Sequence, residues 1–128
     1  MMQAFLVFLG GGLGAVARWA FGMTAARWLG TAWPWGTFGV NVLGSFVMGI
    51  AMATLMRGGA MTGGAENWRL FLATGILGGF TTFSAFSLES ARMIEAGHWS
   101  QAGLYGLTSV GISIAALFAG MALGRLNG

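Results

Sequence analysis

An all-α membrane protein with four transmembrane helices is the fold class this sequence predicts. Of its 128 residues, 56% are hydrophobic and only 7% charged. The mean hydropathy is +0.76, and the apolar residues gather into four segments near the roughly 20 residues needed to cross hydrocarbon. A soluble domain carries about a quarter charged residues, so a water-soluble fold is excluded. With no cysteine, disulfides, thiolate metal sites and thiol redox chemistry are excluded too. The basic residues are single arginines scattered along the chain and form no patch for nucleic acid.

The spans are placed at about 4–26, 35–56, 69–94 and 102–124 within a single domain, 1–128. The first begins in MMQAFLVFLG, which lacks a basic leader region and a small-residue cleavage site, so it is read as a retained helix rather than a signal peptide. Arg18 interrupts it, and the helix spans only if that guanidinium snorkels or faces the interior. The second runs from Trp35 to Met56 without a charge, and the fourth from Ala102 to Leu123 likewise. The connections are short: an aromatic turn at Arg27–Pro34, a glycine-rich loop at Arg57–Asn67, and a tight turn at Glu95–Gln101 that holds the one histidine, His98.

The third segment reads GILGGFTTFSAFSLE from Gly75 to Glu89. The Gly78-Gly79 pair and then Thr81-Thr82 disfavour a continuous helix, and the sequence predicts a break there at mid-membrane. Irregular backbone at that depth persists only where protein buries it or a wet cavity meets it, which makes the break a candidate ion site.

Arginines near the membrane divide three against three: Arg57, Arg69 and Arg125 on one side, Arg18, Arg27 and Arg92 on the other. Charge therefore sets no orientation. Such a chain can insert both ways, and an antiparallel, dual-topology homodimer would bring the two breaks together on a two-fold axis and enclose a path that four helices enclose poorly alone.

Polar residues fall in stripes at helical spacing. Thr37, Asn41 and Ser45 lie at i, i+4, i+8 on the second span, and Tyr105, Ser109 and Ser113 on the fourth. The serines fit a pore lining and ordinary interhelical hydrogen bonding equally; Asn41 favours function, because a buried amide costs about 2 kcal/mol unless partnered. The GxxxG pairs Gly10/Gly14 and Gly120/Gly124 are read as helix contacts. Phe83 and Phe86 follow the break and share a face with Glu89. Their positive ring edges suit a small anion held weakly, against the alternative that they are core. Glu89 is the one carboxylate inside a span. It is either functional or paired with Arg92 at i, i+3. Arg18 is read as a vestibule cation or a headgroup anchor, and His98 with Glu95 as solvated rather than metal-binding.

These residues carry a resemblance. GAVARW around Arg18, WGTFGVNVLGSFVMG from Trp35 to Gly49, and above all GxxGGFTTFSxFSxE from Gly75 to Glu89 make the chain similar to the Fluc/CrcB family of bacterial fluoride channels over essentially its whole length. Ala85 departs from the family's commoner TTFSTFS run. The resemblance implies a passive fluoride channel of the bacterial cytoplasmic (inner) membrane that lowers fluoride toxicity, with two fluoride pathways in an antiparallel homodimer. It implies a structural Na+ at the dimer centre, held by the backbone carbonyls of Gly78 and Thr81 from each subunit. The fluoride pathway would pass Asn41, Thr82, Phe83, Phe86, Tyr105, Ser109 and Ser113, with Arg18 attracting anions at the vestibule and Glu89 near the path.

Rival classes fit less well. A small proton-coupled multidrug exporter of four-helix dual-topology type needs a membrane-embedded acid in the first helix, and that helix has none. An assembly subunit explains the small-residue packing but not the threonine-rich break followed by aromatics. An enzyme is not expected: the sequence holds no nucleotide loop, paired catalytic carboxylates or nucleophile constellation.

Overall fold

The protein is described here from a computed structural model, which covers residues 1–56 and 63–126. Arg57, used above in weighing orientation, lies outside the described residues. Helix α1 is Met2–Leu29, α2 is Trp35–Leu55, α4 is Phe83–Glu95 and α5 is Trp99–Leu126. Between α2 and α4, α3 opens as Gly63–Trp68, widens into a π-helical stretch over Arg69–Leu77 and closes with one α turn, Gly78–Phe80. Four helices, Met2–Leu29, Trp35–Leu55, Gly64–Glu95 and Trp99–Leu126, are long and apolar enough to cross a membrane. The 28 residues of α1 amount to about 42 Å at 1.5 Å each, so both ends pass beyond the hydrocarbon.

The outside of the bundle is apolar, with Phe5, Phe8, Leu107 and Phe118 exposed. That surface is incompatible with water and suited to lipid. The interior is small-residue packing, since lipid gives helices no hydrophobic reason to associate and close van der Waals contact must do so. Helix α1 lies on α3: a Cβ at Gly10 would come 2.5 Å from the Phe71 carbonyl oxygen, and one at Gly14 would strike the Ile76 carbonyl. Helices α2 and α5 form the most extensive pairing of the fold. There a Cβ at Gly49 would strike the Leu117 carbonyl, and one at Gly120 the Phe46 carbonyl. Both GxxxG pairs thus make backbone-to-backbone contacts.

The turn between α4 and α5 has a clear local cause. Gly97 adopts φ 83°, a left-handed conformation that glycine tolerates. Its N–H donates to the Ile94 carbonyl at 3.0 Å while His98 N–H donates to Met93 at 2.8 Å, a Schellman closure that satisfies the last carbonyls of α4.

One expectation is revised in detail. Gly78 and Gly79 do not depart from the helix: Gly78 has φ −63° and ψ −37°. The departure is confined to Thr81 (φ −82°, ψ 158°) and Thr82 (φ −151°, ψ 122°), both extended. The glycine at 79 serves contact instead, for a Cβ there would sit 2.5 Å from the Gly11 carbonyl oxygen on α1. Thr81 keeps its helical N–H bond to the Leu77 carbonyl at 3.0 Å, doubled by its hydroxyl at 2.9 Å, and Thr82 caps the next helix, its hydroxyl accepting from Ala85 N–H at 3.2 Å.

If backbone contact holds α2 to α5, Gly120→Ala forces a methyl into the Phe46 carbonyl and should destabilise the protein by about 1–3 kcal/mol. Thermal unfolding in detergent is the measurement. Gly103→Ala, with nothing within 4 Å of the new methyl, should be neutral or slightly stabilising.

Candidate functional site

The site grows out of the two extended threonines: Thr81 N–H keeps the Leu77 carbonyl as its helical partner, but the main-chain N–H and C=O of Thr82 lack helical partners. Asn41 on α2 replaces them. Its Nδ2 donates to the Thr82 carbonyl at 2.9 Å, and its Oδ1 accepts from the Thr82 N–H at 2.7 Å. From α1, Arg18 Nε donates to the Gly79 carbonyl at 3.0 Å. That places a cation at the C-terminal, negative end of the first half-helix, where the dipole favours it. Gly44 on α2 leaves room for this interruption, since a Cβ there would strike the Thr81 methyl.

Beside the extended residues lies a cavity of about 310 Å³, walled by Asn41, Ser45, Thr81, Thr82, Phe83, Phe86, Ser109 and Ser113 among others, with no charged side chain in its lining. Helical spacing in three separate segments has brought these residues to one place. The hydroxyls of Ser109 and Ser113 are buried and have no hydrogen-bond partner among the described residues, and Ser109 is only 7% exposed. The Phe83 and Phe86 ring centroids are 5.6 Å apart. Phe83 is 75% exposed, so most of that ring projects beyond this single chain.

Tyr105 is not in the wall of this cavity. It is fully buried behind Phe86, with ring centroids 5.0 Å apart, and Trp33 packs on it edge-on at 5.3 Å. Its hydroxyl donates to Glu89 Oε1 at 3.0 Å, and Thr37 donates to Glu89 Oε2 at 3.0 Å. Glu89 is therefore held across three helices. The Glu89–Arg92 ion pair weighed from the sequence does not form; the ion pair among the described residues is Glu66–Arg69, at 2.6 Å. A second cavity, of about 530 Å³, is bordered by Glu89, Arg92, His98, Gln101, Trp33 and Trp35. Arg18 borders a third, of about 390 Å³, which reaches Thr82 and Thr37.

Sequence reasoning left three contributors without a site role. Thr37 was visible only as the first member of a stripe, Trp33 only as an aromatic in a turn, and Ser90 not at all, although its hydroxyl is buried without a partner among the described residues. The stripe register, four residues before Asn41, was the available signal for Thr37. Gly78 is exposed at the end of α3. Recorded hydrogen bonds reach the Leu77, Gly79 and Thr82 carbonyls, and none outside the helices reaches Gly78 or Thr81 among the described residues. No group of three or more His, Cys, Asp or Glu that could hold a metal occurs among the described residues.

Four membrane-length helices around a neutral cavity at a chain interruption define the class as a multi-pass membrane protein with an internal polar site. The particular family follows from comparison: a family model described as "CrcB-like protein, Camphor Resistance (CrcB)" matches residues 5–121, and the chain belongs to that family. It is 55% identical over 126 residues to a protein of Phenylobacterium zucineum (strain HLK1) named fluoride-specific ion channel FluC, covering 98% of this chain and 97% of that one. It is 50% identical over 126 residues to the protein of that name from Caulobacter sp. (strain K31), covering 98% and 96%. It is 52% identical over 125 residues to fluoride-specific ion channel FluC 2 of Nitrobacter hamburgensis, covering 97% and 98%.

Because Thr37 and Tyr105 both donate to one carboxylate, their effects should not add. Thr37→Ala and Tyr105→Phe should each destabilise by about 1–3 kcal/mol, and a double-mutant cycle in thermal or denaturant unfolding should give a coupling of about 0.5 kcal/mol or more that vanishes in a Glu89→Ala background.

Proposed function

We propose that this protein is a passive, fluoride-selective ion channel, working as an antiparallel homodimer of two oppositely inserted copies in the bacterial cytoplasmic membrane. The observation that carries this reading is the uncharged cavity of about 310 Å³ where the rings of Phe83 and Phe86 meet the unpartnered, buried hydroxyls of Ser109 and Ser113. Hydroxyl donors and ring edges suit a small anion without the deep trap a cation would make, and conduction needs sites that bind and release. The naming of the relatives as fluoride-specific ion channels supports the choice of ion.

The dimer is supported by what this chain leaves open. Phe83, Ser84 and Ser87 are exposed on α4. Hydroxyls facing hydrocarbon are unfavourable, so this face is assigned to the second copy rather than to lipid. The interruption in the third span would then lie at mid-membrane. A structural sodium ion would suit the two-fold axis there: the carbonyls of Gly78 and Thr81 are hard, neutral oxygen donors outside the hydrogen bonds that, among the described residues, engage Leu77, Gly79 and Thr82. Bound sodium would hold the two copies together, while this chain's part is to keep those carbonyls uncommitted. The membrane potential is a sufficient driving force, since an interior negative by 100 mV favours exit of a monovalent anion by about 2.3 kcal/mol. Fluoride that entered as the neutral acid would leave by this route, and its toxicity would fall.

Liposomes holding the purified protein should release fluoride and retain chloride under the same gradient. Phe83→Ile and Phe86→Ile, which roughly keep volume and remove the ring edge, should cut fluoride efflux at least about tenfold with the dimer intact by gel filtration. Equal release of both anions overturns the reading. Reporters fused to the C-terminus should appear on both faces of the membrane, because charge sets no orientation. A single orientation in all molecules removes the antiparallel dimer.

A further inference from the structure

We infer that Asn41 is a positioning residue, acting on the ion path through the main chain of Thr82 rather than chiefly as a ligand of the ion. The inference rests on the channel reading above and deepens it. The Asn41 amide meets the Thr82 peptide as one strand residue meets another, giving Nδ2–H to the carbonyl at 2.9 Å and taking the N–H on Oδ1 at 2.7 Å. Both main-chain groups of Thr82 are thereby satisfied by one side chain 41 positions away. Of the amide's own capacity, one N–H and one oxygen lone pair remain.

This clamp determines where the aromatics stand. Thr82 is extended, at φ −151° and ψ 122°, and it is the residue that caps α4. Without a partner in an apolar setting, its N–H and C=O would recover helical partners, and Thr81 and Thr82 would wind into one continuous helix. An extended residue advances about 3.3 Å and a helical one about 1.5 Å. Winding both would therefore draw α4 in by about 4 Å and rotate Phe83 and Phe86 away from the Ser109 hydroxyl. Asn41 is the part of α2 that prevents this, and its own remaining N–H is secondary.

Two measurements test the assignment. In hydrogen exchange on the purified protein, the Thr82 amide should exchange roughly tenfold or more faster in Asn41→Ala than in the native chain, with amides of α5 unchanged. Unchanged exchange at Thr82 overturns the inference. In liposomes, replacing Thr82 by its α-hydroxy acid removes the N–H that Asn41 accepts and weakens the preceding Thr81 carbonyl, whose effect is gauged by the same ester in an Asn41→Ala background; the ester alone should slow fluoride efflux roughly tenfold, as Asn41→Ala does, and the two changes together should be no slower than the worse alone. Native efflux from the Thr82 ester, with Asn41→Ala slowed, makes Asn41 a direct ion ligand. Should Asn41→Ala fail to assemble, Asn41→Asp retains an acceptor and should keep the Thr82 amide protected; loss of that protection overturns the assignment. Absence of fluoride efflux from the native protein refutes the channel reading alone, because the exchange result stands without it.

Discussion

The main-chain N–H and C=O of Thr82, which have no helical partners inside a membrane-spanning bundle, are the constraint on which the site depends. Each unsatisfied backbone group in hydrocarbon costs several kcal/mol. An extended Thr81-Thr82 pair therefore exists only because other groups take up its hydrogen bonds. The Thr81 hydroxyl reinforces the Leu77 carbonyl, the Thr82 hydroxyl caps α4, Asn41 holds both sides of the Thr82 peptide, and Arg18 holds the Gly79 carbonyl. Two of the four groups are local and two come from other helices. The local pair makes the interruption possible; the distant pair makes it singular.

Those distant partners can reach only because the helices approach closely. Gly79 against Gly11 brings α3 onto α1, in the same contact that Gly10 and Gly14 make, and this closeness lets Arg18 reach a carbonyl. Gly44 makes room for the Thr81 methyl three residues from Asn41, so the same stretch of α2 provides both space and clamp. Gly75 and Gly79 of the third span act as contact surface more than as hinge. Gly78 and Gly79 stay helical, and the departure waits until the threonines, whose side chains can supply hydrogen bonds.

Much of this was legible in the sequence, for a physical reason: helical spacing places residues on a face without any knowledge of the partner. The stripes therefore identified Asn41, Ser109 and Ser113, and the Phe83/Phe86 spacing put both rings on the same cavity. The four apolar spans were legible because hydrocarbon thickness sets their length. What periodicity could not supply was pairing across the bundle. Nothing local says that Asn41 meets Thr82 or that Arg18 meets Gly79, 61 positions away. Glu89 had a cation three residues on, yet two hydroxyls from other helices hold it, because charged partners at a helix surface gain little and neutral donors in a packed interior gain more. Tyr105, in register with the serines, stands behind Phe86 because a ring that large fills the space one turn before them.

The placement of charge completes the physical picture. The lining of the cavity at the threonines is uncharged, and the charges of Arg18 and Glu89 border other cavities, Arg18 on one and Glu89 on another. Each is also engaged by neutral dipoles, Arg18 by a helix-terminal carbonyl and Glu89 by two hydroxyls. A full cation facing the proposed path would hold a small anion strongly in a low dielectric, and a full anion would exclude it. With both charges turned aside, what an ion would meet is a set of hydroxyl donors and ring edges, each weak by itself. Such a site must obtain selectivity from fit and dryness rather than from charge, and fit of that kind requires that the rings not move. The rigidity of the Thr82 peptide and the weakness of the ligands are therefore two parts of one requirement: a path that binds loosely must be held firmly by everything that does not touch the ion.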